Sequence, residues 1–134
     1  MRQILYVSDS RIGRDEAALD RIMERSRRNN ALDGITGLLW SDGRRFAQVI
    51  EGGDEAIAAV LARIAADDRH VNLRIVQDMP IYARAFGDWS MERPAVLPDA
   101  AIYEERMLAR LAQGTDRWRS TFSQIVARSR TAAW

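Results

Sequence analysis

A few polar side chains stand on segments that are otherwise apolar, and they are the ones whose types could do chemistry. The sharpest is Gln48, at the centre of "RRFAQVIEGG", residues 44 to 53. Read as a strand, this run puts Phe46, Gln48 and Ile50 on one face and Ala47 and Val49 on the other. Gln48 is the polar exception on two apolar faces, so the strand should lie buried within a sheet. A primary amide offers two donors and a carbonyl acceptor, and leaving them unpaired costs roughly 1–3 kcal/mol per group. Something must meet that amide. Tyr6, in "ILYVS", would stand on the neighbouring strand if the first strand lies beside the third. Asn29 and Asn30 close a helical stretch, and Arg63 lies beside the apolar stripe of a second.

Each of these residues has an ordinary alternative. Tyr6 can be a core aromatic whose hydroxyl reaches a partner. The two asparagines can simply end a helix. Arg63 can be a solvated arm on a buried stem. Gln48 can bond the tyrosine and a backbone carbonyl, His70 can be an exposed helix end, and Trp89 and Met91 can be ordinary core. Taken together, they suggest a planar polar ligand held between two helices. Amides and a guanidinium bond a ring carrying alternating carbonyls and nitrogens, while apolar side chains cover its faces. An isoalloxazine ring meets that description, and so does a purine.

The composition narrows the chemistry. None of the 134 residues is cysteine or lysine, and all twenty basic residues are arginine. That excludes thiolate chemistry, a cysteine-based zinc site, a Schiff base and a P-loop lysine. A single histidine, His70, excludes a histidine-rich metal site. The net charge of +1 and the mixing of basic with acidic residues, as in "RDEAALDRIMER", give no footprint for nucleic acid. With 47% hydrophobic and 29% charged residues, the composition is that of a soluble globular domain. No apolar run approaches the ~18 residues that span a bilayer, and the N-terminus is too short in apolar residues for a signal peptide. A cytoplasmic location is expected.

The elements that must position these residues follow from periodicity and punctuation. "RQILYVS" at 2–8 reads as a strand, and "DEAALDRIMERSRRNN" as an amphipathic helix ending at the Asn-Asn pair. "GITGLLW" and "RRFAQVIEG" flank a hairpin turn containing Asp-Gly. "GDEAIAAVLARIAADDRH" reads as a second helix, with Asp54 and Glu55 favouring its start and Ile57, Val60, Leu61 and Ile64 as its buried stripe. "NLRIVQDMPI" reads as a fourth strand stopped by Pro80, and "RAFGDWSMER" as a fifth strand or an extended tail. The order β-α-β-β-α-β(-β) predicts an α+β, ferredoxin-like mixed sheet with two helices on one face. Pro94 and Pro98 mark a boundary, so the expected division is a domain over 1–93 and a helical extension over 94–134, with helices at about 99–113 and 115–131. Trp118, Phe122 and Ile125 share one side of the last helix. That stripe suits packing on the sheet or on another subunit.

Residues 1 to about 93 resemble the BLUF family, blue-light sensors that use flavin. The matching pieces are "ILYVS", "RSRRNNALDGITGLL", "RRFAQVIEG", "ARIAADDRH" and "FGDWSM", in the family's order and spacing. The resemblance implies a noncovalent flavin between the two helices, usually FAD, with FMN or riboflavin also accommodated. Tyr6 matches the tyrosine that gives an electron and then a proton to the excited flavin, and Gln48 the glutamine between that tyrosine and the flavin carbonyl edge. Asn30 matches the asparagine that bonds the ring, Asn29 its frequent partner, and Arg63 an arginine near the pyrimidine end. Ser26 is a weaker match, and His70 matches a position close to the cofactor. Trp89 and Met91 match the last-strand pair that responds to the glutamine. Ala47 is small where the family commonly has bulkier residues.

On this resemblance the chain is a photoreceptor and not an enzyme. It signals through the last strand and the C-terminal helices to an unidentified partner or through assembly, and a homo-oligomer is expected. Two other functions fit the fold. One is an acylphosphatase-type hydrolase, although the loop "SDSRIGRD" is not a glycine-rich phosphate cradle. The other is a light-independent interaction domain.

Overall fold

A computed structural model describes residues 1–13, 15–86, 90–92, 100–112 and 117–131. The elements run β1 (Arg2–Ser10), α1 (Glu16–Asp33), β2 (Thr36–Ser41), β3 (Arg45–Gly52), α2 (Asp54–Ala66), β4 (His70–Pro80), β5 (Ser90–Glu92), α3 (Ala100–Leu111) and α4 (Arg117–Thr131). The sheet order is β4-β1-β3-β2-β5. The first four strands pair antiparallel in the ferredoxin-like arrangement, and β5 adds a parallel edge beside β2, so the sheet is mixed as expected.

Local chemistry explains the boundaries. The Asp15 carboxylate caps α1 by accepting from the Ala18 N–H at 3.0 Å. The helix does not end at the Asn-Asn pair, as the sequence suggested. It continues to Asp33 and stops at Gly34, whose φ of 68° is left-handed. The turn between β2 and β3 is fixed by the Asp42 side chain, which accepts from the Arg44 and Arg45 N–H groups at 2.9 and 2.8 Å. Gly43, with φ 87°, supplies the positive dihedral there.

β1 and β3 are buried on both faces because each face of the sheet is covered. On one side Ile4 and Ile50 pack with Leu19 and Met23 of α1 and Ile57 and Val60 of α2. Such fully buried side chains each contribute roughly 1.5–3 kcal/mol. On the other side Leu5, Val7, Leu38, Trp40, Ala47 and Val49 meet Met107 and Leu111 of α3 and Phe122, Ile125 and Val126 of α4. The apolar stripe of the last helix is therefore used inside the protomer. Ala47 stands opposite Trp40 in the β2–β3 ladder, and its small side chain belongs to the same cluster as the indole. Trp40 meets Phe86 and Phe122 edge-on, with centroids 6.5 and 5.9 Å apart. The Ser129 hydroxyl stitches α4 to β2, accepting from the Ser41 N–H at 3.1 Å and donating to the Ser41 carbonyl at 2.7 Å. Among the described residues, no helix is long and apolar enough to cross a membrane.

Candidate functional site

Alternation along β1 and β3 decides which side chains face α1 and α2. Tyr6 and Gln48 are register partners in the β1–β3 ladder, so their side chains emerge side by side on the same face. Leu39 of β2 stands on the other flank of Gln48. Above them the two helices leave a cavity of about 550 Å³, within the range of roughly 300–1,000 Å³ usual for small-molecule sites.

The cavity brings together Tyr6, Ser26, Asn29, Asn30, Gln48, Arg63 and His70. α1 contributes Ile22, Arg25, Ser26, Asn29 and Asn30 at helical spacing, and α2 contributes Val60, Arg63 and Ile64. Trp89 lies outside the described residues, as does the side chain of Met91, although the Met91 backbone belongs to β5.

Tyr6 is 4% exposed and donates its hydroxyl hydrogen bond to Gln48 Oε1. Burial, with a smaller contribution from the negative charge of Asp67, pushes the phenol well above its usual value, so it stays protonated. Asn30 is buried, and its carbonyl accepts from the Gly34 and Ile35 N–H groups, which anchors the end of α1 while its side chain faces the cavity. His70 opens β4 with its ring fixed at both nitrogens. Nε2 stands 2.5 Å from the Ile64 carbonyl oxygen, which can only accept, so Nε2 carries the proton. Nδ1 stands 2.8 Å from Ser8 Oγ, a hydroxyl that can either donate or accept. The Tyr6 and His70 rings are 6.3 Å apart.

The rim holds Arg63, an expected site residue, and four that the sequence reading did not single out, Arg25, Asp67, Asp68 and Arg69. Arg63 is half exposed and pairs with Asp33 at 2.8 Å, tying α2 to the end of α1. Asp67 accepts twice from the Arg69 guanidinium, at 2.9 Å from Nε and 2.5 Å from Nη2. Arg25, Asp67, Asp68 and Arg69 all line the cavity. The signal of Asp67, Asp68 and Arg69 was present in "ARIAADDRH", but these charges read as a wet helix end until α1, which carries Arg25, is placed opposite them.

The bond from Arg69, together with its positive charge, holds the Asp67 carboxyl below the usual carboxylate range. A carboxyl lowered in this way contributes stability above the unfolded value near ~4 and loses it as pH falls through the folded one. Urea titrations should therefore show wild type losing stability more steeply below pH ~4 than Asp67→Asn. Equal slopes would mean that the bridge contributes nothing.

The cavity has an amide and phenol edge (Tyr6, Asn29, Asn30, Gln48), apolar walls (Ile22, Leu39, Phe46, Val60, Ile64) and an arginine-bearing rim. This donor set suits a flat heteroaromatic ring with one polar edge. The model for BLUF, described as sensors of blue light using FAD, matches residues 1–92. The chain belongs to the BLUF family. It is similar to a photoactivated adenylate cyclase subunit beta from Euglena gracilis, 33% identical over 96 residues, which are 69% of this chain and 11% of that protein. It is also similar to the blue light- and temperature-regulated antirepressor BluF of Escherichia coli (strain K12), 28% identical over 123 residues, 89% of this chain and 29% of that protein. The chain thus spans only a small part of these curated relatives. Among solved structures, the BLUF protein BlrB in its dark state superposes with a TM-score of 0.70 at 31% identity, over 96% of this chain and 92% of that one. The chain is therefore a flavin-based blue-light sensor domain. The hydrolase alternative has no support.

Proposed function

We propose that this chain is a blue-light receptor in which the Tyr6–Gln48 pair is the switch. The observation that carries this reading is their juxtaposition on one ladder rung, both buried, with the phenol donating to the amide oxygen at the floor of the cavity. The cofactor is FAD, and FMN and riboflavin carry the same ring. Asn29, Asn30 and Arg63 hold the polar edge, Ser26 and His70 border it, and Leu39, Val60 and Ile64 exclude water from its faces.

Flavin, when bound, supplies the visible absorption and an excited state that accepts an electron. Tyr6 would supply to that state an electron and then its hydroxyl proton and would recover both, so nothing would be consumed. Gln48 responds because its two ends have opposite hydrogen-bond polarity. By rotation or tautomerisation the amide presents a donor where it had presented an acceptor. With flavin bound, that donor would add a hydrogen bond to the ring, which would shift its absorption slightly to the red. A few bonds worth about 1 kcal/mol each change. Such a change is felt elsewhere by biasing an element with two arrangements. Met91 and Trp89 carry it to β5, and α3 and α4 pass it to a downstream signalling protein or to the assembly state of a homo-oligomer. Residues 1–93 are the photosensory part and 94–134 the output extension.

The test is an absorption spectrum of purified protein before and after blue light, with a dark recovery trace. A flavin band that shifts red and recovers is the expected result. A flavin band that stays fixed would remove the switch, and a colourless protein would remove the cofactor.

A further inference from the structure

Gln48 faces the cavity, but three residues further along β3 the carboxylate of Glu51 faces the opposite way and is fully buried. It accepts three hydrogen bonds. Gln3 Nε2 donates to Oε2 at 2.8 Å, the Ala85 N–H to Oε2 at 3.0 Å, and the Phe86 N–H to Oε1 at 2.7 Å. None of these serves the cavity. Two of them fix consecutive peptide units in the connection between β4 and β5.

That connection is also held from its other side. Arg106 of α3 donates to the Ala85 carbonyl at 2.8 Å. Arg84 donates to Thr36 Oγ1 at 2.8 Å, to the Glu51 main-chain carbonyl at 2.9 Å and to the Gly34 carbonyl at 2.7 Å. The Phe86 ring is buried, with Trp40 of β2 6.5 Å and Tyr103 of α3 6.4 Å away. Residues 84–86 therefore form a strap with one end on the central strand and the other on α3, and the strap leads towards β5.

The geometry points to Glu51 as a positioning residue that transmits the state of β3 to α3 through this strap. The inference rests on the light-sensing reading above. Buried N–H groups must keep their acceptor. A displacement of β3 at Gln48 therefore carries the Ala85 and Phe86 amides with Glu51, and the Ala85 carbonyl carries Arg106. The route is built from polar bonds on the far face of the sheet.

The test compares hydrogen exchange over Ala100–Leu111 in the dark and under blue light for wild type, Glu51→Gln and Arg106→Gln. Glu51→Gln keeps the volume but turns an amide NH2 towards a backbone donor. Arg106→Gln alters an exposed side chain and removes the outer end of the strap together with the Arg106 stacking on Tyr103, 5.3 Å from the ring centroid, so it decides the matter if the buried variant fails to fold. In both variants the bound flavin should keep its dark spectrum and its red shift, because the cavity is untouched. The lit-minus-dark difference in α3 should fall severalfold. A merely structural Glu51 would raise dark exchange and leave that difference in place, and an unchanged difference in Arg106→Gln would overturn the inference. A wild type that shifts its spectrum with no lit-minus-dark change in α3 would overturn the strap alone. A wild type with no spectral shift would overturn the light-sensing reading beneath it.

Discussion

Tyr6→Phe and Gln48→Leu should each abolish the light-induced red shift while leaving flavin bound. The phenylalanine ring fills nearly the same space but lacks the hydroxyl that gives up the proton. The leucine keeps the volume of the glutamine and removes both ends of the amide. Binding should weaken by no more than about thirtyfold, since each variant costs the site one or two hydrogen bonds of about 1 kcal/mol. On the proposed reading the response, in contrast, should vanish, because the switch would be the polarity of this one pair. Tyr6→Phe also leaves Gln48 Oε1 without its phenol donor in a buried place, so the fold should lose ~1–3 kcal/mol. Gln48→Leu removes the acceptor instead and strands the phenol. Difference spectra under blue light, recorded on samples of matched flavin content, check the prediction. A normal shift in either variant would remove that residue from the switch.

The same pair shows what could be read from sequence. Gln48 was legible because an amide in the middle of an apolar strand demands a partner, and Tyr6 because the element order places the first strand beside the third. Both inferences need only alternation and topology. On α1, Asn29 and Asn30 stood out as a polar pair at the end of an amphipathic stretch, and Ser26 entered as a site residue only through the family resemblance, while the fold brings all three to the cavity. The last turn of that helix was misjudged. Asparagines are good helix stops, yet Gly34 four residues after Asn30 offers the left-handed conformation more cheaply, and tertiary packing carries the helix on to it.

What could not be read depends on contacts between distant segments. Arg63 looked like a solvated arm or a cofactor ligand, and its pairing with Asp33 requires α1 and α2 to lie side by side. Glu51 sits within "RRFAQVIEG" and was passed over. An acidic residue near a strand end reads as solvent-facing until the 84–86 segment folds over it. The tail posed a two-way choice, sheet or second subunit, that periodicity cannot make. Phe122 and Ile125 bury themselves completely against β1, β2 and β3 within one chain.

That packing sets the expectation for Trp40→Ala. The Trp40 side chain is fully buried at the centre of the far-face core, touching the strap at Phe86 and α4 at Phe122. Truncating a buried tryptophan typically costs ~3–5 kcal/mol through lost burial and the void left behind. Against a total of about 5–15 kcal/mol, that is a large share of the stability. One feature works in the other direction. The indole Nε1 is buried with no hydrogen-bond partner among the described residues, and an unpaired buried donor costs about 1–3 kcal/mol. Trp40→Phe sheds that penalty along with some packing, so its net loss should be much smaller than that of Trp40→Ala. Denaturant midpoints for the two variants would separate these contributions. A large loss in Trp40→Ala, in a single transition that takes α3, α4 and the sheet together, would make the extension part of one cooperative unit. It would then be placed to feel changes in the sheet directly. A small loss, or a tail that melts before the sheet, would mean that α3 and α4 are only loosely docked, and a signal could leave this protein by their release.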